Sequence, residues 1–437
     1  MVLQCFKYSY LGIVLLSLLS GCAGGRVSPP PAGESLRLHW GAVNIDYADA
    51  SSENIFTDDA LRTAAQFAEE IHKSNSSEQI PYRILALSGG GSRGAYGAGV
   101  LAGWTATGTR PEFDVVTGIS TGALQATAAF LGTDYDELLA TFNDVDNDDI
   151  FTSAGATALL TNESLYDTAP LKAMLVNLLD EETINAVAAE HHKGRHLFIG
   201  TTNLDANVFT IWNMGKIASS DRPDRFQVYR DVVLASASFP VAFPPVYFPV
   251  TTAQGNTYYQ MHVDGGAKES IFIFVYLAEL KEQLLSLGLD WDEDINPQIY
   301  LLNNGQLFSD HTYKPVKADT FSIAMRSIES LSRKNVAASI YYIWSAGLVH
   351  GASISLAFIP QHYDLTNLDI LEFNSKEMNR LFKFGYEQSV SDTAWITRTS
   401  INNLDELQEL LDIYDMIEPA TLRANVEEEF KNDSDQE

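Results

Sequence analysis

The sequence predicts an α/β fold with a mostly parallel central sheet, on three observations. Short apolar runs end in glycine-rich turns, each turn opens a helix-like stretch of small residues, and the unit recurs. It reads Ile84–Ser88, Gly89–Gly94, Ala95–Trp104, and then Phe113–Thr117, Gly118–Gly122, Ala123–Leu131. Strand, turn, helix, strand, turn, helix is the rhythm of parallel strands joined by crossovers. With 437 residues and 46% hydrophobic content, the chain can bury a large core, as one large domain or two smaller ones.

Taken in order, Met1–Tyr10 carries Lys7 and leads into the apolar stretch Leu11–Leu16 and then Leu19-Ser20-Gly21-Cys22. The apolar stretch is too short to span a bilayer and fits a signal h-region. Small residues directly before a cysteine resemble the bacterial lipobox, with cleavage before Cys22 and lipidation of its thiol. The alternative is an ordinary secretory signal with a coincidental cysteine. Loss of Cys5 with the signal would leave one cysteine and no intramolecular disulfide. Ala23 in place of Asp after the lipidated cysteine points, by analogy, to the outer membrane of a Gram-negative cell.

Residues 22–35 are small and Pro-rich and read as a flexible tether. Within an N-terminal helical extension over 36–81, Asp58–Lys73 reads as an amphipathic helix with Leu61, Ala65, Phe67, Ala68 and Ile71 as its apolar stripe. Pro81 precedes the first buried strand. His196–Gly200 and Gln298–Leu302 add two more apolar runs of strand length. Ala337–Ile359 holds no charge apart from a possible one on His350. It reads as buried helix plus strand, with a lipid-facing lid and a membrane span as the other readings. Leu404–Tyr414 reads as helical, and Glu427–Glu437 as an acidic, frayed tail.

The formal charge of −29 argues against a nucleic-acid partner, because phosphates call for Lys and Arg to displace counterions. It argues equally against simple electrostatic docking on an anionic lipid surface and is read as serving solubility.

Two turns carry the chemistry. Gly118-x-Ser120-x-Gly122 is a weak pattern alone, but a strand before it and a small-residue helix after it are what a nucleophile elbow needs. The run Gly89-Gly90-Gly91-Ser92-Arg93-Gly94 can turn successive N–H groups inward, where they stabilise a tetrahedral oxyanion. A phosphate loop competes with this reading, although the chain lacks the Gly-Lys-Ser/Thr ending of a P-loop. Arg93 is read either as a contact to a lipid phosphate or as a brace that holds its own loop.

These motifs, followed by Asp264-Gly265-Gly266, resemble in that order the patatin-like phospholipases. Asn162–Asp167, Ala235–Pro245 and Met378–Tyr386 add to the likeness, which covers roughly residues 82–390. The resemblance implies a patatin-like three-layer sandwich and a lipid acyl hydrolase of the phospholipase A or lysophospholipase type. It implies a Ser-Asp dyad: Ser120 attacks the ester, Asp264 serves as general base, and the Gly90, Gly91 and Ser92 region holds the oxyanion within the Gly89–Gly94 loop. Gly118 and Gly122 frame the elbow, and Gly265 and Gly266 complete the proton-acceptor motif. An aspartate base is weak at neutral pH unless its pKa is raised, so a partly apolar surrounding is expected for Asp264. This chain departs from many relatives after Gly266, where Ala267–Phe272 replaces an expected Asn and Pro.

The organisation that follows is a lipoprotein signal peptide at 1–21, the tether, the extension, a catalytic domain at 82–390 and a helical, acidic tail at 391–437. The implied partners are a phospholipid or lysophospholipid substrate and a membrane reached through the lipid anchor. The mechanism needs no metal or organic cofactor, and the oligomeric state is not legible.

Two other hypotheses remain. An α/β-hydrolase-type esterase would need a histidine base, with His262, His311, His350 and His362 as candidates. His262 stands two residues before Asp264, so on a strand both would face one side, where it could tune Asp264 or replace it. His191, His192 and His196 lack the accompanying cysteines or carboxylate spacing of a metal site and read as a polar loop. The remaining hypothesis is a non-catalytic surface lipoprotein that binds lipid on a retained scaffold.

Overall fold

The computed structural model describes residues 26, 28–32, 37–38, 42–45, 57–74, 79–141, 144–155, 163–252, 254–307, 315–349 and 351–398. The signal segment with Cys22, His311, His350, the expected helix at 404–414 and the acidic tail lie outside the described residues.

Thirteen strands are described: β1 Arg37–Leu38, β2 Ala42–Ile45, β3 Ile80–Leu87, β4 Val115–Gly118, β5 Thr152–Ser153, β6 Tyr166–Asp167, β7 His196–Asn203, β8 Val208–Asn213, β9 Val246–Thr251, β10 Thr257–Asp264, β11 Ile295–Asn303, β12 Ser353–Phe358 and β13 Ile396–Arg398. The longer helices are α1 Thr57–Ser74, α2 Ala95–Ala106, α3 Thr121–Leu131, α4 Ala169–Leu178, α5 Glu181–His192, α6 Arg225–Ser236, α7 Phe274–Ser286, α8 Thr320–Val349 and α9 Ser375–Val390.

The main sheet runs β1-β9-β10-β7-β4-β3-β11-β12-β13, with β8 on the other edge of β7 and β2 beyond it. Its centre, β7-β4-β3-β11-β12, is parallel, as the repeated strand-turn-helix pattern predicts. The flanks are antiparallel.

Alternation along the central strands divides the core in two. Leu85, Leu87, Val116, Leu197 and Ile199 face one side, against α2, α3, α4, α5, α6 and α9. Ile84, Ala86, Val115 and Phe198 face the other, against α1, α7 and α8. A strand covered on both faces must be apolar at every position, which explains the unbroken runs in the sequence. Three layers, helix-sheet-helix, are the result. Each large side chain fully buried there contributes roughly 1.5–3 kcal/mol.

Two details differ from the sequence reading. The N-terminal extension is not helical throughout, because β1 pairs with β9 and β2 with β8, so it belongs to the same sheet. On α1 the buried face is Ala60, Thr63, Ala64 and Phe67, while Leu61 and Ala65 are exposed. Asp59 sets that rotation: its fully buried carboxylate is 2.9 Å from Lys216 Nζ and accepts from Asn213 Nδ2 at 2.8 Å. A carboxylate turned inward toward a partner carries its neighbours with it.

The uncharged stretch at 337–359 forms the second half of α8 followed by β12. Ile340, Ile343 and Trp344 are buried while Tyr341 and Tyr342 are exposed. Among the described residues no helix is long and apolar enough to cross a membrane.

Candidate active site

Strand β7 organises the site. One of its edges is taken by β8 along Phe198–Asn203, so β4 and β10 share the other. β4 pairs with His196–Ile199 and β10, running the opposite way, pairs with Thr201–Asn203. The two strands therefore meet end to end beside Gly200. The chain leaving β4 turns at once into Ser120, and β10 ends on Asp264. Topology alone brings these two residues together.

Ser120 stands at the N-terminus of α3 with φ 55° and ψ −125°, a conformation that costs a non-glycine residue on the order of 1–3 kcal/mol. The turn is tight enough that a Cβ on Gly122 would lie 2.5 Å from Leu87 O. Ser236 at the end of α6 holds the turn: its Oγ accepts from Ser120 N–H at 3.0 Å and donates to Gly200 O at 2.7 Å. Two residues on, Ser238 O accepts from Asp264 N–H at 2.9 Å. One short segment thus fixes the backbone of both residues.

Asp264 is 3% exposed. Its Oδ1 accepts from Gly266 N–H at 2.7 Å, whereas buried Oδ2 makes no hydrogen bond of ordinary geometry. Burial pushes its pKa up to about 7, opposed by the nearby Ser120 hydroxyl and by Gly266 N–H. Both of the latter favour the charged form.

The glycine loop runs past Ser120, with Gly89 packed closest: a Cβ there would lie 3.0 Å from Ser120 Cβ. The N–H groups of Gly89, Gly90 and Gly91 have no acceptor among the described residues. Ser92 and Arg93 differ from the reading that placed the whole 89–94 run in the oxyanion hole. Ser92 N–H is committed to Ile370 O at 3.1 Å and its Oγ–H to Asp369 O at 2.7 Å, while Arg93 N–H bonds Gly90 O at 3.2 Å. The loop closes into a short 3-10 turn at Gly91–Gly94, which consumes these donors. Gly91 has φ +57°, and a Cβ on it would fall 1.8 Å from Ile370 O. Gly94 O accepts from Gln125 Nε2 at 2.6 Å.

Asn304 is a functional neighbour that sequence reasoning did not identify. It donates from Nδ2 to Ser88 O at 2.9 Å and accepts from Gly97 N–H at 3.0 Å, bracing both ends of the glycine loop. Its signal is the polar pair Asn303-Asn304 directly after an apolar strand.

The cleft over Ser120 and Asp264 encloses about 1170 Å³ when its solvent-open mouth is counted. Its lining includes apolar Leu124, Ile150, Leu171, Phe239, Phe243 and Phe373 together with charged Arg93, Glu329 and Arg333. Arg93 donates from Nε to Leu368 O at 3.3 Å, and its terminal amino groups bond no described residue. Desolvation lowers its pKa, with Glu329 acting against it. Glu329, in the first half of α8, pairs with Arg333 at 3.1 Å and Arg326 at 3.5 Å.

The described histidines discussed above are placed elsewhere. Thr201 Oγ accepts from Trp212 Nε1 at 2.8 Å and lies within hydrogen-bond distance of His262 Nδ1, at 2.9 Å. His262 is buried against Trp212 and Phe248, and desolvation lowers its pKa to about 3. His362 is exposed, next to Phe384. His191 and His192 end α5 and His196 begins β7, so they do not form a polar loop. His191 and His196 are buried edge to face at 5.4 Å, and burial lowers both pKa values.

A strained serine ending a parallel strand, a loop of free N–H groups beside it and a buried aspartate before two glycines stand in one cleft. Residues 85–275 match the family model of the patatin-like phospholipases. Over residues 85–275 the chain carries a patatin-like phospholipase domain. The match takes in the glycine loop, the elbow and the Asp264 turn, and the matched family implies lipid acyl hydrolase activity. No curated protein matches the chain. Among solved structures, VipD from Legionella pneumophila is similar at a TM-score of 0.29 and 13% identity, over 74% of this chain and 68% of that one. A likeness so slight carries no argument about the site.

Proposed function

We propose that the patatin-like domain hydrolyses carboxylic esters of phospholipids or lysophospholipids through a Ser120–Asp264 dyad and an acyl-enzyme. The observation that carries this reading is the buried carboxylate of Asp264 beside Ser120, with no histidine among the described residues that line the cleft. In the first step Asp264 takes the Ser120 hydroxyl proton as Ser120 Oγ attacks the ester carbonyl. The tetrahedral oxyanion is received by the free N–H groups of Gly89, Gly90 and Gly91, each donor of this kind typically worth about 2.7–4 kcal/mol. Collapse breaks the ester bond, and Asp264 returns the proton to the departing alcohol. A water molecule, deprotonated by the same carboxylate, then releases the fatty acid and restores Ser120. A base with a pKa near 7 is well matched to this exchange at neutral pH.

The substrate class is read from the lining. Its apolar side chains suit an acyl chain, and the terminal amino groups of Arg93, with Arg333 in the same lining, suit a phosphodiester. Attachment to a bacterial outer membrane through lipidated Cys22 is part of the same reading, supported by the lipobox-like residues 19–22.

The test is profiling of fatty acids released from a panel of diacyl, lyso and neutral glycerolipids. Ser120→Ala and Asp264→Asn are each expected to lose nearly all hydrolysis while retaining the parent circular dichroism. Near-parental turnover in either variant overturns the dyad.

A further inference from the structure

Arg26 and Ser28, close to Cys22 in sequence, are held by the domain. The Arg26 guanidinium forms a two-pronged ion pair with Asp205, donates to Tyr259 O at 3.2 Å and lies over the Tyr247 ring at 5.9 Å. Ser28 O accepts from Tyr259 N–H at 3.0 Å. Asp205 is held in turn by Met261 N–H at 2.8 Å. The ion pair raises the Arg26 pKa and lowers that of Asp205, so both are charged across the neutral range. Arg26 and Ser28 are thus clamped and form a strap, in contrast to the flexible tether that the Pro-rich composition predicts.

The clamp sits at a definite end of the molecule. β10 runs from Thr257 to Asp264 against β7, so Tyr259 lies beyond the carboxyl end of β4 and about 17 Å along the strand from Asp264. The carboxyl ends of the parallel strands are also where Ser120 and the cleft are found. Three residues separate Cys22 from Arg26, a reach of at most about 14 Å between the two.

We infer that the Arg26 clamp fixes the lipid anchor at the cleft end of the sheet, so that a lipid bilayer faces the carboxyl ends of the strands around exposed Leu204. A protein with a charge of −29 gains no orientation from attraction to an anionic bilayer. An acyl-anchored domain on a free tether would also present its cleft to the lipid only part of the time. The strap supplies the missing orientation. This inference rests on the proposed lipidation of Cys22 but not on the proposed hydrolysis.

The experiment uses the full lipidated chain in vesicles of phosphatidylethanolamine and phosphatidylglycerol, with a fluorophore on Leu204→Cys and, separately, on Glu112→Cys at the opposite end of β4. Lipid-borne quencher is expected to quench the first label at least fivefold more than the second. Arg26→Ala should erase the difference, and the exchanged pair Arg26→Asp/Asp205→Arg should restore it. On the same vesicles Arg26→Ala is expected to release fatty acid at least fivefold more slowly, with hydrolysis of soluble p-nitrophenyl butyrate unchanged. Equal quenching of both labels in the parent, or a difference that survives Arg26→Ala, overturns the inference. Absence of all Ser120-dependent hydrolysis with the quenching pattern intact overturns the proposed function and leaves the strap standing.

Discussion

Asp264→Asn should make the protein more stable at alkaline pH while removing its activity, and the size of the effect follows from the site. Burial raises this carboxyl from an ordinary 3.8 to about 7. At 1.36 kcal/mol per pKa unit, that separation is worth about 4 kcal/mol. The folded chain holds the proton more tightly than the unfolded one. The stability Asp264 contributes is therefore complete below an unfolded pKa near 4 and is lost as pH rises through about 7. The amide keeps an oxygen for Gly266 N–H and has no proton to lose. Relative to the parent, the variant should gain roughly 2–3 kcal/mol between pH 5 and pH 8, measured by urea unfolding at each pH. The parent's hydrolysis of a soluble ester should climb over the same range, as the base is freed near pH 7. A stability difference that is flat across pH would refute the reasoning, because it would mean that the carboxylate is not desolvated.

Two further outcomes follow from the surroundings of the dyad. Ser236→Ala leaves Ser120 N–H and Gly200 O each without a partner, at a cost of about 1–3 kcal/mol for a buried group. It should lower kcat by roughly tenfold or more with KM little changed; an equal rise in KM would mean that Ser236 shapes the cleft instead of the elbow. Arg333→Gln should raise KM for a diacyl phospholipid by about tenfold, consistent with losing a charge-assisted contact, and leave a neutral monoacylglycerol unaffected. Steady-state kinetics on the two lipids check this, and equal effects on both would remove Arg333 from headgroup recognition.

The central strands were legible because their cause is local. A strand covered by helices on both faces needs an apolar residue at every position, and Ile84–Leu87, Val115–Val116 and Leu197–Ile199 are written that way. The antiparallel flanks, half-covered and interrupted by Thr, Tyr and Gln as in Thr257–Asp264, carry no such run. β1 and β2 are too short to register at all and exist through their pairing with β9 and β8. The rotation of α1 was misjudged for a related reason. Apolar spacing alone cannot anticipate that Asp59 is drawn inward by Lys216, a residue from a distant helix.

The same division between local and distant causes runs through the site. Ser120 and the glycines around it could be identified because an elbow is a local backbone demand, met by small residues at fixed spacing. Which N–H groups remain free for an oxyanion could not, since Ser92 loses its donor to Ile370, whose approach to the loop no spacing records. His262 is the instructive case. The period of a strand correctly makes it a neighbour of Asp264, and its side chain is chemically the better base. It is set aside by its surroundings: Nδ1 lies 2.9 Å from Thr201 Oγ, and the ring is buried in an apolar pocket that disfavours its charged form. Burial thus acts in opposite senses on two residues of one strand. It lowers the imidazole to about 3, where its proton affinity is too weak for a base, and raises the carboxyl to about 7, where it becomes a useful one. In the proposed dyad, the use of Asp264 in place of His262 is therefore a property of the desolvated surroundings along β10 more than of either side chain.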